Sequence, residues 1–216
     1  MKQLSSHKLL ELQKLLRIRS FIEHPNNFIF SGLLYTKDER DSKNPVKQFP
    51  DLDYLRYVVN AYWESDRLFI PKSRQIKMSW IACAIALHKA MFFPHSNIFI
   101  QSKKEEDAAM LVFFKKMGNA RISFLYDKLP GWVKDVAKAE GTYSKLNFSN
   151  GSQIWGIPEG GHIIRSHTAS LFIGDESAFQ PEFESAYTAA MSCSEKIICI
   201  SSAGPGYFED IVKEVI

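Results

Sequence analysis

Residues 71–80, PKSRQIKMSW, have the side chains that a phosphate-binding loop needs. They follow a short apolar run, RLFI, and precede a long one that begins IACAIALHKA, which predicts a strand, a polar loop and a helix. Ser79 starts the helix, and Lys72, Arg74 and Lys77 stand just before it. A helix N-terminus offers free backbone N–H groups, and cations beside it favour an anion. The segment therefore predicts a phosphate site.

Glycine is missing from this loop. In the standard pattern, G-x-x-x-x-G-K-[ST], backbone N–H groups cradle phosphates, the lysine reaches their oxygens and the hydroxyl binds Mg²⁺; only Ser79 matches it. Lys77 stands at the second glycine. If this position requires a left-handed conformation, a lysine there costs roughly 1–2 kcal/mol, which a functional site tolerates. The alternative is that the three cations are solvated charges on an ordinary turn.

An acidic pair follows a second apolar run. The segment SLFIGDESAF places Asp175 and Glu176 at the end of a predicted buried strand. Adjacent carboxylates repel each other unless a cation lies beside them. In a P-loop ATPase, an acid here holds Mg²⁺ and the following glutamate activates the attacking water. The alternative is that both acids cap the helix predicted by PEFESAYTAAM.

A third apolar run, in IICISSAGPG, ends in small hydroxyl side chains. Ser201 and Ser202 stand where they could bond to the γ-phosphate region or to the attacking water. Strand-loop-helix, then strand-Asp-Glu, then strand-Ser-Ser-Ala is the order of parts in the additional-strand (ASCE) class of P-loop ATPases. We therefore expect the three segments to meet at one edge of a sheet.

The remaining elements fit an α/β fold. A helix from Ser79 to about Phe93, a strand at NIFIQ and a helix through residues 103–118 predict parallel βαβ units. The run SKLNFSNGSQIWGIP predicts an antiparallel hairpin with a type I′ Asn-Gly turn. Together they predict a P-loop NTPase fold of the ASCE type, with a mainly parallel sheet flanked by helices, a late β-hairpin and an N-terminal helical arm.

Residues 1–50 are predicted to form that arm and a connector, and residues 51–216 the ATPase domain. Ser5 and Ser6 can cap an amphipathic helix that runs up to Pro25 and either packs on the domain or docks a partner; its apolar face contains Leu9, Leu12 and Leu16. The polar, proline-punctuated residues 35–50 predict the connector.

Composition limits the function classes only weakly. Twenty-seven Lys and Arg residues against twenty-four Asp and Glu give a net charge of +3, which neither demands nor excludes a polyanionic partner. Three cysteines in apolar runs, without C-x-x-C spacing, favour reduced thiols and a cytosolic setting. No segment predicts a membrane span.

Three segments, PKSRQIKMSW, IPEGGHIIRSHTASLFIGDESAF and ISSAGPG, resemble the ATPase domain of the large terminase subunit, the DNA-packaging motor of tailed phages. The resemblance covers residues 51–206. In that family the first loop often reads K-[SA]-R-Q-x-G-x-[ST], with the phosphate lysine at the start. Five residues fit this version, Lys72, Ser73, Arg74, Gln75 and Ser79, while Lys77 departs from the glycine.

The resemblance implies a role for each matching residue. Lys72 would be the phosphate lysine and Arg74 the γ-phosphate sensor, within an ATP-binding loop of Lys72, Ser73, Arg74, Gln75, Ile76, Lys77, Met78 and Ser79. Ser79 and Asp175 would hold Mg²⁺, and Glu176 would activate water. Ser201, Ser202 and Ala203 would couple hydrolysis to movement. Arg165 would reach the ATP of a neighbouring subunit; the alternative for Arg165 is a structural ion pair. Leu55 stands where many relatives place an adenine-binding glutamine, and Gln48 is the nearest substitute.

At the level of function, the resemblance implies an ATP hydrolase that translocates double-stranded DNA into a procapsid. Its cofactors would be ATP and Mg²⁺, and its partners the portal and procapsid, the small terminase subunit and copies of itself in a ring. It would act in the cytoplasm of the bacterial host, without a membrane. The C-terminal nuclease domain of the family is expected to be absent from this chain. Two alternatives remain open, another nucleic-acid-translocating (helicase-like) ASCE ATPase and a non-catalytic DNA- or capsid-binding module with a degenerate loop.

Overall fold

The computed structural model describes residues 6–38 and 40–215, so Ser5, one of the two predicted helix caps, lies outside the described residues. The N-terminal region contains two helices, α1 (Ser6–Glu23) and α2 (Pro25–Ile29). Two antiparallel strands follow, β1 (Tyr35–Lys37) and β2 (Val46–Gln48). The stretch predicted as a polar connector thus contains a short antiparallel hairpin, which the sequence did not predict.

A second sheet of seven strands forms the centre of the molecule, in the order β3-β9-β8-β4-β7-β6-β5. The first five strands in that order are parallel, and the last two are antiparallel to their neighbours. The strands are β3 (Arg67–Pro71), β4 (Asn97–Gln101), β5 (Ala139–Thr142), β6 (Lys145–Phe148), β7 (Gln153–Ile157), β8 (Leu171–Asp175) and β9 (Ile197–Ser201). Because β9 lies between β3 and β8, the predicted ASCE-type P-loop fold is confirmed.

Helices cover both faces of this sheet. They are α3 (Asp53–Glu64), α4 (Met78–Phe92), α5 (Glu105–Val112), α6 (Arg121–Lys128), α7 (Gly131–Lys134), α8 (His162–Arg165), α9 (Phe183–Cys193) and α10 (Tyr207–Val215), with a 3₁₀ turn at Ser177–Phe179. Nearly every residue of α4 is buried, as expected of a helix that is apolar all round. This helix agrees with the prediction to within one residue at each end.

Two predicted details of the sheet region are wrong. The helix predicted to end at Gly118 ends at Val112, because Phe113 turns away with extended backbone and packs its ring where a Cβ on Gly141 would lie. The predicted hairpin forms, but its turn is not type I′, since φ is positive at Gly151 and not at Asn150. Phe148 instead closes a three-residue loop with the left-handed glycine last.

The N-terminal arm enters the core only through its second half. Phe21, Phe28 and Leu34 are buried in the same apolar cluster as α4, and His88 Nε2 lies 2.7 Å from the carbonyl oxygen of Phe21. The predicted apolar face of α1 is 44–56% exposed at Leu9, Leu12 and Leu16. Within the described residues, no helix combines the length and apolarity needed to cross a bilayer.

Candidate nucleotide-binding site

The ends of β3, β8 and β9 form one wall of a cavity of about 920 Å³. These strands are parallel neighbours, so their carboxyl ends lie at the same edge of the sheet. The backbone N–H of Lys72 donates to the carbonyl of Ser201 over 2.9 Å, which joins two of these ends directly. The three sequence segments singled out for their chemistry therefore meet.

Ser79 and Asp175 are in direct contact in this cavity. The Ser79 hydroxyl, on the first turn of α4, donates a hydrogen bond of 2.8 Å to Oδ1 of Asp175, the last residue of β8. Burial raises the pKa of Asp175, and the hydrogen bond from Ser79 and the charge of Arg121 work in the opposite direction. A hydroxyl and a carboxylate with raised pKa form a pair of oxygen ligands that a divalent cation would stabilise.

Glu176 accepts hydrogen bonds from two segments. Lys72 Nζ donates to Oε1 over 2.5 Å, and the backbone N–H of Ser202 donates to Oε2 over 3.1 Å. Lys72 Nζ also lies 3.3 Å from the Ser202 hydroxyl. Burial works to raise the pKa of Glu176, but the bonds from Lys72 and Ser202 outweigh it, so the pKa is lowered. Glu176 is therefore a carboxylate at neutral pH, held between β3 and β9.

Residues 72–77, the phosphate loop, contain two non-glycine residues in the left-handed region, Gln75 (φ 66°) and Lys77 (φ 63°). Lys77 thus has the conformation that a glycine in the standard loop would adopt at no cost. Its ammonium does not point freely into the cavity, since Nζ donates to the carbonyl of Lys37 over 3.1 Å. Ser73, Arg74 and Gln75 are exposed.

Ile76, in the loop, and Met78, the first residue of α4, differ in burial. Ile76 is half-buried and lines the cavity, and its carbonyl accepts a bond of 3.2 Å from the Tyr54 hydroxyl. Met78 is buried, with 4% exposure, and belongs to the core as well as to the cavity wall. Met78 can therefore present only its backbone N–H to an anion at the start of α4.

The predicted coupling residues follow β9. The Ser201 hydroxyl accepts a hydrogen bond of 3.1 Å from the backbone N–H of Ala178, in the turn that follows Glu176. Ser201 and Ser202 are buried, whereas Ala203 is exposed. The end of β9 is thus bonded to the turn that carries the acidic pair.

Three predicted positions lie away from the cavity wall. Arg165, on α8, is exposed and donates a hydrogen bond of 3.2 Å to the Ser185 hydroxyl; among the described residues it forms no ion pair. Leu55 is fully buried, and the Gln48 amide donates to the carbonyl of Gly32 over 3.1 Å. Neither Leu55 nor Gln48 lines the cavity.

Several residues that the sequence did not single out also line the cavity. They are Lys37, Asp38 and Arg40 of the N-terminal hairpin, Ser102, Lys103, Asp107, Met110 and Leu111 around α5, Arg121 on α6, Trp80 and Phe179. Nothing in their local sequence marks them, because they reach the site through packing of distant segments. Within the described residues there is no cluster of three or more His, Cys, Asp or Glu side chains that could hold a metal by itself.

Solved structures show the same fold. The chain is similar to the HK97 bacteriophage large terminase (TM-score 0.64, 15% identity), with 90% of this chain and 42% of that one covered. It is similar to a mutant of the large terminase ATPase domain of Thermus phage P74-26 (0.55, 15%), covering 75% and 69%. It is also similar to a large terminase from a thermophilic bacteriophage in complex with ADP (0.54, 12%), covering 76% and 44%.

No protein-family model and no curated protein matches the sequence. At identities of 12–15%, the structural likeness establishes the fold. The chain has the fold of large terminase ATPase domains, and it spans less than half of the HK97 protein and of the ADP-bound terminase.

Proposed function

We propose that this chain is the ATPase domain of a phage large terminase, which hydrolyses ATP to move double-stranded DNA into a procapsid. One observation carries the proposal. Ser79 is bonded to Asp175 and Lys72 to Glu176, and both pairs join residues about a hundred positions apart in one cavity. A hydroxyl, an ammonium and two carboxylates at a helix N-terminus are the groups that phosphoryl transfer from a nucleotide requires.

The phosphate loop would bind the triphosphate through backbone N–H groups at the start of α4 and through cationic side chains. Lys72 would supply the ammonium and Arg74, which is exposed on the loop, the guanidinium that senses the γ-phosphate. The contribution of Lys77 would come from its left-handed backbone, because its ammonium is bonded to the hairpin. The other loop residues, Ser73, Gln75, Ile76 and Met78, would contribute backbone contacts.

Ser79 and Asp175 would hold Mg²⁺. They fit that ion because it prefers oxygen ligands, and it is usually bound by one or two carboxylates together with substrate phosphates rather than by a protein cage. Bound there, Mg²⁺ would neutralise charge on the phosphate oxygens. Asp175 already accepts from Ser79, so both ligands are in place before a ligand arrives.

Glu176 would accept the proton of the attacking water. Its lowered pKa keeps it ionised, and the Ser202 N–H fixes its orientation. Lys72 cannot hold Glu176 over 2.5 Å and a phosphate oxygen with the same strength. A triphosphate would therefore draw Lys72 towards itself and release Glu176 for the water, which links base activation to nucleotide binding.

Motion and assembly would depend on the groups around this centre. Ser201, Ser202 and Ala203 would transmit the state of the acidic turn, since Ser201 is bonded to Ala178. Arg165 does not line its own cavity, which suits a role in the site of a neighbouring subunit, where an arginine stabilises the transition-state charge. That role implies a homo-oligomeric ring when the motor is active.

The proposed partners are double-stranded DNA, the portal and procapsid, and the small terminase subunit. A motor that is indifferent to sequence would hold DNA mainly by its phosphates. The proposed place of action is the cytoplasm of the bacterial host, at the procapsid. Nuclease activity is not proposed for this chain.

The test is the change Glu176→Gln, which keeps the size and hydrogen bonding of the side chain and removes the base. We expect ATP hydrolysis to fall by at least about 10²-fold while calorimetric binding of a magnesium triphosphate analogue is retained. Glu184→Gln is the matched control, because Glu184 is exposed on α9 and does not line the cavity. Its hydrolysis rate should equal that of the wild type.

Retained turnover in Glu176→Gln would contradict the assignment of the base. If neither the wild type nor Glu176→Gln bound magnesium nucleotide, the chain would instead be a non-catalytic DNA- or capsid-binding module. One observation favours that second candidate, the left-handed conformation of Lys77 where the standard loop has glycine. Binding of nucleotide followed by its hydrolysis would exclude it.

A further inference from the structure

Among the cationic side chains that line the cavity, Arg121 has no role in the loop pattern or in the proposed reaction. Among the described residues, seven cationic ones line the cavity together with four acidic ones; the cationic ones are Lys37, Arg40, Lys72, Arg74, Lys77, Lys103 and Arg121. Arg121 begins α6, and its guanidinium lies 5.8 Å from the centre of the Trp80 ring, one residue beyond Ser79. It therefore lies beside the start of α4.

Three of the other cations already have protein partners. Lys72 donates to Glu176, Lys77 donates to the carbonyl of Lys37, and Lys37 itself donates to the carbonyl of Gly118 over 2.8 Å. Their ammonium groups can bind an anion only if these bonds lengthen or break.

The others are not held by the protein in this way. Arg40, Arg74 and Lys103 are exposed. Arg121 is only partly exposed, yet among the described residues its guanidinium has no hydrogen-bond or ion-pair partner. A guanidinium has five N–H donors in a rigid fork, so Arg121 carries unused donors that are already partly shielded from solvent.

Arg121 lines the same cavity as Ser79 and Asp175, the proposed metal ligands. Its positive charge acts on Asp175, where it opposes the rise in pKa that burial causes. If Ser79 and Asp175 hold Mg²⁺, they would do so together with phosphate oxygens of the triphosphate, so a phosphate would lie close to this pair. A guanidinium within electrostatic reach of Asp175 is then placed for that phosphate.

We propose that Arg121 binds the terminal phosphate of the triphosphate held by the phosphate loop, as a second arginine from the same subunit. This inference rests on the proposed function. Arg121 lies on α6, which packs against α4. Arg74, the arginine of the loop, is by contrast exposed. An arginine and a phosphate form parallel charge-assisted bonds. A bond from Arg121 to the terminal phosphate would therefore make the site prefer a triphosphate to a diphosphate.

A purely structural role for Arg121 predicts a different result. If Arg121 served only to offset the charge of Asp175 or to pack over Trp80, its loss would weaken metal-dependent binding of di- and triphosphates equally, or would lower stability alone. The two roles are therefore separated by comparing two nucleotides in one variant.

The experiment measures calorimetric Kd values for Mg·ADP and for a non-hydrolysable magnesium triphosphate in the wild type, Arg121→Gln and Lys128→Gln. Lys128 is the matched control, because it stands at the other end of α6, is exposed and does not line the cavity. We expect Arg121→Gln to weaken the triphosphate by about 10- to 100-fold and ADP by less than about 3-fold. Lys128→Gln should match the wild type for both nucleotides.

Equal losses for the two nucleotides, or no loss for the triphosphate, would overturn the proposal. A wild type that bound neither nucleotide would show instead that the proposed function itself fails. Thermal unfolding checks that Arg121→Gln is folded; if it is not, Arg121→Lys replaces it. Arg121→Lys keeps the charge but lacks the fork, so it should still weaken binding of the triphosphate more than binding of ADP. An equal fold-loss for the two nucleotides, measured against the wild type, would again overturn the proposal.

Discussion

Two neighbouring chain reversals line the cavity, the acidic turn and the phosphate loop, and they differ in how firmly their side chains are held. In the acidic turn, residues 175–177, every side chain has a partner: Asp175 binds Ser79, Glu176 binds Lys72, and the Ser177 hydroxyl donates to the carbonyl of Gly174. In the phosphate loop, Ser73, Arg74 and Gln75 make no side-chain hydrogen bond to any described residue and are exposed. The groups proposed for hydrolysis are thus fixed, whereas three of the eight residues proposed for binding are exposed and have no such bond.

Both reversals contain left-handed non-glycine residues, so strain alone does not explain the difference. Glu176 has φ 51°, close to the values at Gln75 and Lys77. In the acidic turn the bonds to Lys72 and to the Ser202 N–H determine the conformation. In the middle of the phosphate loop, Ser73, Arg74 and Gln75 have no such bonds among the described residues. A phosphate would order this part of the loop, because backbone N–H groups at a helix N-terminus are satisfied by an anion. The comparison predicts that nucleotide binding orders the loop, while Glu176 loses its bond to Lys72 and keeps its bond to the Ser202 N–H.

The largest effect is expected from Lys72→Ala, since Lys72 is the side chain that belongs to both reversals. The change should weaken binding of a magnesium triphosphate by about 10- to 100-fold, the value of one charge-assisted hydrogen bond. A titration with a fluorescent nucleotide measures this. The matched control is Lys77→Ala, for which we expect a smaller loss because its ammonium is bonded to Lys37. A loss of this size in Lys77→Ala, without one in Lys72→Ala, would mean that the phosphate lysine is Lys77.

The acidic turn was more predictable from the sequence than the phosphate loop. Continuous apolar runs end at Asp175 and at Ser201, and such runs indicate buried parallel strands whose carboxyl ends share an edge. The contact between Ser79 and Asp175 follows once α4 starts at the predicted place. Local pattern was sufficient here because the strand ends fix the positions of the side chains.

Features that depend on long-range packing could not be predicted. The polar residues 35–50 contain no strand signal, yet Lys37 and Arg40 line the cavity. Arg121 reaches the site because α6 packs on α4, and the early end of α5 at Val112 depends on the fit of Phe113 against Gly141. In each case the cause is a contact between residues distant in the chain, which no local periodicity reports.

A smaller effect, on stability, is expected from Asp175→Asn. Burial raises the pKa of Asp175, so the charged form is disfavoured in the folded chain without ligands. The amide removes the charge and still accepts from Ser79, so we expect Tm at neutral pH to rise by about 2–4 °C, roughly 1 kcal/mol for a chain of this size. Binding of magnesium nucleotide should be lost in the same variant.

The pH dependence of this gain has a definite sign. Above the raised folded pKa, wild-type Asp175 is charged and destabilising; as the pH falls through that value, it becomes neutral, and the advantage of Asn disappears by the unfolded-state pKa of about 4. Thermal unfolding across this range measures it. Asp107→Asn is the control, since Asp107 is exposed on α5 and also lines the cavity. A gain that persisted unchanged at low pH would contradict the electrostatic cause.

The smallest effect concerns the strain in the phosphate loop. Lys77→Gly and Lys77→Ala both remove the bond from Nζ to the carbonyl of Lys37, but only glycine adopts φ 63° without steric cost. Lys77→Gly should therefore be more stable than Lys77→Ala by about 1 kcal/mol in denaturant unfolding. The same pair at position 176, Glu176→Gly against Glu176→Ala, should show a similar difference, because φ there is 51°. A difference at Glu176 but none at Lys77 would show that the loop relaxes its left-handed residue when no ligand is bound, which would sharpen the contrast between a fixed acidic turn and a loop that a phosphate orders.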